Sequence, residues 1–151
     1  MVHTTIATEV RSRGRPRQFD MEQALDGAVR TFREKGFRAA SVGDLEKSMV
    51  LKAGSIYKAF KDKKDLFLAA FDRYADGREQ LTRSALEGST NGRDALRRLL
   101  MLYAQSSSGV EGRTGCLVVG SAVEMSGLDD ELADRVRRAM ARNESALVEI
   151  L

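Results

Sequence analysis

The chain has 151 residues, with 25 basic and 22 acidic side chains, one cysteine, one histidine and one proline. A single cysteine, Cys116, excludes an intrachain disulfide framework and a multi-thiolate zinc site, and it suits a reducing cytoplasm. The single histidine, His3, stands in a polar leader, so histidine-dependent catalysis has no candidate in a folded pocket.

The net charge of +3 belongs to the leader, where Arg11, Arg13, Arg15 and Arg17 face only Glu9; from residue 18 onward basic and acidic groups balance. Residues 1–14 have almost nothing to bury and are expected to be disordered when free. Pro16 is the only proline, so the rest of the chain is free of that helix breaker. With Ala, Leu, Arg and Glu abundant, the expected fold is all-α.

Asp20, with Gln23 three residues on, predicts a helix start. Ala24, Leu25, Ala28, Val29 and Phe32 recur on one face of that helix, and Gly36 supplies a left-handed stop. Ser41 followed by Asp44 opens a short helix through Val42, Leu45 and Met49. Val50-Leu51-Lys52 is a tight connection to a second short helix over Ala53–Phe60. Asp62 with Asp65 begins a longer helix, carrying Leu66, Phe67, Ala70, Phe71 and Tyr74 and running to about Leu86. Eight of the nine aromatic residues lie between Phe19 and Tyr74, which predicts a compact core for the first half.

Gly88-Ser89-Thr90-Asn91-Gly92 is a break, after which Asn91 or Thr90 can cap a helix with Leu96, Leu99, Leu100, Leu102 and Tyr103 on its face. Ser106-Ser107-Ser108-Gly109 ends it. Thr114–Met125 is a more apolar segment whose small residues permit close helix approach; its longest apolar run, Cys116 to Val119, is far short of the ~18–20 residues a membrane span needs. Leu128-Asp129-Asp130-Glu131 starts a last helix, with acids at its positive end. Leu132, Val136, Ala139, Met140, Asn143, Leu147 and Leu151 mark its stripe.

Three features of the first half converge on double-stranded DNA. In Arg13-Gly14-Arg15-Pro16-Arg17, Gly and Pro hold alternating guanidinium groups along a ribbon thin enough for a minor groove, the pattern of an AT-hook core. The competing reading is a solvated basic tail. The helix, tight turn and helix over 41–60 suit a helix-turn-helix, whose second helix enters the major groove by its N-terminal residues. There Ala53, Gly54 and Ser55 leave the backbone free to approach bases, while Tyr57 and Lys58 reach phosphates; an ordinary helical hairpin is the bland alternative. Residues 47–64 also hold six lysines against Asp62 alone, as a phosphate clamp would require.

Ser41-Val42-Gly43-Asp44-Leu45, followed by Gly54-Ser55-Ile56-Tyr57-Lys58-Ala59-Phe60-Lys61-Asp62-Lys63-Lys64-Asp65-Leu66, resembles the DNA-binding domain of TetR-family transcriptional regulators. The Arg-Gly-Arg-Pro-Arg leader and the first helix ending at Lys35-Gly36-Phe37 agree with it. The resemblance covers residues 15–75, with the helix-turn-helix at about 38–57. It implies that Ser41 contacts a phosphate, that Ala53, Gly54 and Ser55 face bases, and that Tyr57 and Lys63 hold the DNA backbone. Two residues depart from the family pattern. Val50 stands where the family usually has a bend glycine, at a cost on the order of 1–3 kcal/mol if the bend keeps positive φ. Lys52 replaces the usual small hydroxyl cap and adds a phosphate-seeking charge.

For residues 76–151 the resemblance implies a helical domain for effector binding and dimerisation, short relative to the family. Met101, Tyr103, Cys116, Met125 and Met140 are the candidate ligand-binding residues, although at helical spacing methionines and tyrosines are more often core. Cys116 in an apolar segment reads as a small buried hydrophobe rather than a redox sensor. The resulting expectation is a cytoplasmic, homodimeric regulator, a repressor released from a pseudo-palindromic operator by a small molecule. It requires no metal, cofactor, membrane or catalytic step. The rival reading is a truncated regulator acting as an interaction module with impaired dimerisation or DNA binding.

Overall fold

The computed structural model describes residues 17–125 and 129–151. Among them are eight helices and no strand: α1 (Arg17–Ala39), α2 (Val42–Met49), α3 (Ala53–Ala59), α4 (Lys63–Leu86), α5 (Gly92–Ser106), α6 (Gly109–Arg113), α7 (Leu117–Met125) and α8 (Asp130–Val148). No helix among these residues is long and apolar enough to cross a membrane.

Local side-chain chemistry sets most of the helix starts. Ser41 and Asp44 form a reciprocal capping box on α2, and Asp62 accepts the Asp65 amide at the head of α4. Asn91 rather than Thr90 caps α5 through the Asp94 amide, and Asp129 caps α8 through the Leu132 amide. The start of α1 differs from expectation, because the helix already begins at Arg17, ahead of Asp20. Arg17 therefore opens α1 instead of extending the leader, while Arg13 and Arg15 lie outside the described residues. At Gly36 (φ 76°, ψ 175°) the backbone kinks and then continues helically to Ala39, so this glycine bends the helix rather than stopping it.

Helices α1 and α2 cross so closely that a Cβ at Gly27 would lie 2.0 Å from the Ser48 carbonyl oxygen, a distance only glycine tolerates. Beside that crossing, the Thr31 hydroxyl donates to Ser48 Oγ at 2.6 Å. Phe67 meets Phe32 edge-on at 4.9 Å and Phe37 at 5.1 Å, and Leu45, Ile56, Leu66 and Phe71 complete the buried centre. That centre continues into Leu117 and Val118 of α7 and Leu132, Val136 and Ala139 of α8, which extend the core past the first half of the chain. The long α4 is shared by both regions and packs against α1, α5, α7 and α8.

Two apolar stripes are less buried than their periodicity predicts. In α5, Ala95 and Leu99 are buried, but Leu100 and Met101 are exposed. In α8 burial stops at Ala139, and Met140, Asn143, Leu147 and Leu151 are exposed. Length is the physical reason in α8: nine residues of α7 reach about 13 Å and cannot cover the roughly 28 Å of a 19-residue helix.

Candidate nucleic-acid interface

Helices α2 and α3 are joined by a bend at Val50, whose φ of 54° and ψ of 38° are left-handed, with its side chain 87% exposed. The Val50 amide donates to the Glu46 carbonyl and terminates α2. The bend thus keeps a glycine-type conformation with a β-branched residue in it, the one non-glycine with positive φ among the described residues. Lys52 occupies the cap position of α3 and supplies no side-chain cap. Glu46 takes over that task from the preceding helix: its Oε1 accepts the Ala53 amide at 2.6 Å. An acid at the N-terminus of α3 also suits the helix dipole. Spacing alone gave no sign of this cap, because the carboxylate arrives from seven residues upstream through the bend.

On α3, Ile56 is buried and anchors the helix, while Gly54, Ser55, Tyr57, Lys58 and Ala59 are exposed and Ala53 is half-buried. A Cβ at Gly54 would meet nothing within 4 Å, so this part of the backbone lies open. Lys47, Lys52, Lys58 and Lys61 are exposed, and none has a carboxylate within ion-pair distance among the described residues. The other two lysines of the cluster behave differently. Lys63 Nζ lies 4.9 Å from the Phe37 ring centre and 3.4 Å from the Arg38 carbonyl. Lys64 turns away to pair with Asp129 at 2.5 Å, which raises the lysine pKa and lowers that of the aspartate.

Ser41 is exposed at the start of α2, but both of its donors are committed: the hydroxyl donates to Asp44 Oδ2 at 2.6 Å and the amide at 3.0 Å. Lys35 donates to the other Asp44 oxygen at 2.7 Å. These bonds hold the Asp44 carboxyl far below the usual carboxylate range, with Lys35 the largest cause and Ser41 next.

Away from this surface, α1, α4, α5, α7 and α8 surround a cleft of about 1380 Å³. Tyr103 and Cys116 line it. Met101 and Met140 do not, and both are exposed, at 51% and 43%. The Met125 side chain lies outside the described residues. Cys116 is exposed and not buried, because it precedes α7 in the turn after Gly115 and reaches Tyr74 instead of the core. Burial, and after it Cys116, pushes the Tyr74 hydroxyl pKa up.

The two regions are tied together at the end of α1. One carboxylate, Glu124 of α7, accepts the consecutive amides of Phe37 and Arg38 at 2.8 Å each. Only glycine at position 36 permits this, since a Cβ there would stand 2.7 Å from Glu124 Oε2. Arg33 makes a second tie, donating to the Glu111 side chain at 2.7 Å and to the carbonyls of Glu111 and Gly115 at 3.0 Å. Glu124 was not among the sequence candidates, although a lone acid in an otherwise apolar helix was a signal that it had a partner.

Residues 24–70, which contain α2, α3 and the cores of their neighbours, match the family of bacterial regulatory proteins called tetR. Over this segment the chain is similar to the TetR family. It is 29% identical over 144 residues to the HTH-type transcriptional repressor ComR of Escherichia coli, a match covering 93% of this chain and 68% of that protein. To the repressor BdcR of the same organism it is 31% identical over 106 residues, covering 70% and 54%. The TetR-family regulator SCO4454 of Streptomyces coelicolor shares the fold at a TM-score of 0.79 and 17% identity, over 88% of this chain and 70% of that one. The chain thus spans about two thirds of the length of such TetR-family relatives. The matched segment stops before α5, so the cleft lies mostly outside it.

Proposed function

We propose that this chain is a cytoplasmic transcriptional repressor of the TetR family that binds a pseudo-palindromic operator as a homodimer and releases it when a small molecule enters the cleft. The observation that carries this reading is the outer face of α3. It is an open backbone at Gly54 and Ser55 beside Tyr57 and Lys58, flanked by exposed lysines with no carboxylate in ion-pair distance among the described residues. In the proposed division, residues 15–75 form the DNA-binding domain, and residues 76–151 bind the effector and contribute to dimerisation. Ala53, Gly54 and Ser55 read base edges, and Lys52, Tyr57 and Lys58 hold phosphates. Ser41 joins them by exchanging Asp44 for a phosphate oxygen. Lys63 does so by leaving the Arg38 carbonyl, whose 3.4 Å separation is too long to retain it. Arg13, Arg15 and Arg17 enter the flanking minor groove.

Release follows from the ties to α1. The segment from Glu111 to Val118 forms part of the cleft wall, and the same segment with α7 holds Arg33 and the 37–38 amides. A ligand that prefers another position of this wall shifts the orientation of α1 and, through Ser41, of α2 and α3.

Selection of bound DNA from a random pool at two salt concentrations tests the reading. The expected product is a pseudo-palindrome with half-sites about one helical turn apart, bound more weakly at high salt. Binding that depends on salt but ignores sequence would reduce the protein to nonspecific attachment.

A further inference from the structure

Five arginines and four carboxylates line the cleft, and the arginines are not equivalent. Arg33 is bound by Glu111 and two carbonyls, and Arg73 makes a two-bond contact with Asp26 at 2.6 and 2.8 Å. Arg83 and Arg142 share Glu79, at 3.0 and 2.9 Å. Arg78 alone among the five has no carboxylate within ion-pair distance among the described residues. Its one protein bond is from Nη1 to the Ser106 hydroxyl at 2.8 Å, and Ser106 in turn donates to the Leu102 carbonyl. A guanidinium has five N–H donors in a planar fork, so four of them remain unspent on a half-buried side chain between α4 and α5. The fourth lining carboxylate, Glu149, has no ion-pair partner among the described residues either, but it is exposed beyond the end of α8 and is solvated there.

The remaining wall near Arg78 is of two kinds. Val29, Leu81, Leu102 and Val118 give it an apolar side, and Leu81 is half exposed into open space despite being a leucine. Tyr74 brings a hydroxyl close enough to feel the charge of Arg78. A half-buried cation lacking its counter-ion is costly, and an anion that supplies two oxygens to the fork removes that cost while an attached apolar tail covers the leucines.

The geometry points to an amphipathic anion, a carboxylate on an apolar tail, as the class of effector for this cleft, with Arg78 binding the carboxylate. This rests on the effector reading above and adds the chemistry of the ligand. Calorimetric titration of the full chain with decanoate and decyltrimethylammonium below their micelle concentrations, and decanol below its solubility limit, separates charge from tail. Decanoate is expected to bind roughly tenfold or more tighter than decanol, as a charged hydrogen-bond pair provides, with the ammonium weakest. Arg78→Met should erase the preference for decanoate while leaving decanol binding unchanged, which a misfolded variant would not do. Arg78→Lys should keep the charge but lose the fork, and so restore only part of it. Equal affinity for decanoate and decanol, binding of none of the three, or a decanoate affinity indifferent to Arg78→Met would overturn the assignment. Operator binding measured without any of these probes reports separately on the regulator reading, so its failure is distinguishable from failure of the ligand assignment.

Discussion

The region around α2 and α3 and the region around α5 and α8 are built from similar helical stripes, yet one is closed and the other open. Around α2 and α3, every turn is short, each helix start has an identified acceptor and the aromatic rings of Phe32, Phe37 and Phe67 fill the centre. Around α5 and α8, Leu100, Met101, Met140 and Leu147 are exposed, and much of the contact between α4 and α8 is ionic, as in Arg135 with Asp72 and Arg142 with Glu79. The first kind of packing holds a fixed shape, as the proposed DNA-binding surface requires. The second opposes rearrangement with little apolar burial, as the proposed ligand-responsive wall requires.

The largest effect should distinguish the two packings directly. Phe67→Ala removes a ring that is 1% exposed and touches two others, at an expected cost of about 3–5 kcal/mol. Met140→Ala, at 43% exposure, should change stability by less than about 0.5 kcal/mol. Denaturant unfolding of both variants is the check. Comparable losses would mean that the α8 surface is packed in solution and that the contrast between the regions is false.

Next in size is the joint itself. Glu124→Ala leaves the Phe37 and Arg38 amides without their acceptor and should cost about 1–3 kcal/mol. Hydrogen exchange should accelerate at those two amides before it does so in the centre of α4. Glu124→Gln, which keeps one oxygen, should fall between the variant and the parent. Unchanged exchange at both amides would show that the clamp is not maintained in solution.

A smaller effect tests the bend. Val50 has left-handed backbone angles, which cost a residue other than glycine about 1–2 kcal/mol, and its exposed side chain offers little packing to offset that. Glycine relieves the strain but raises the entropy of the unfolded chain by roughly 0.5–1 kcal/mol. Val50→Gly should therefore stabilise by up to about 1 kcal/mol and leave operator affinity unchanged. A lower melting temperature for the glycine variant would refute the strain argument.

What could be read in advance follows the range of each interaction. The Ser41–Asp44 box and the caps at Asp62, Asn91 and Asp129 act over three residues, so residue type and spacing reveal them. The exposed face of α3 depends on the same short range, since Ile56 is the buried residue of that helix. Glu46 capping α3, Glu124 reaching α1 and Lys64 leaving its basic cluster for Asp129 depend on where helices cross, which periodicity does not encode. Cys116 looked like core because its neighbours Leu117 and Val118 are core. The turn after Gly115 (φ 73°) places it one step outside them.

The smallest expected effect concerns the pair Lys64–Asp129, which joins the head of α4 to the head of α8. Lys64 is the main reason the Asp129 carboxyl titrates below its ordinary 3.8, with the Leu132 amide second. A carboxylate whose pKa is lower folded than unfolded contributes stability that is fully present above its unfolded value. That contribution fades as pH falls from about 4 through the lower folded value. Asp129→Asn keeps an oxygen for the Leu132 amide and removes the charge, so it isolates the ion pair from the cap. Because Lys64 is 43% exposed, the loss at pH 7 should be the smallest of these effects, and smaller still in high salt. The difference between parent and variant should shrink below pH 4 as the parent's carboxyl takes up its proton. Thermal melts at pH 7 and pH 3 measure both terms. A gap that persisted undiminished at pH 3 would mean that asparagine caps α8 poorly, placing the interaction in the helix end and not in the contact between α4 and α8.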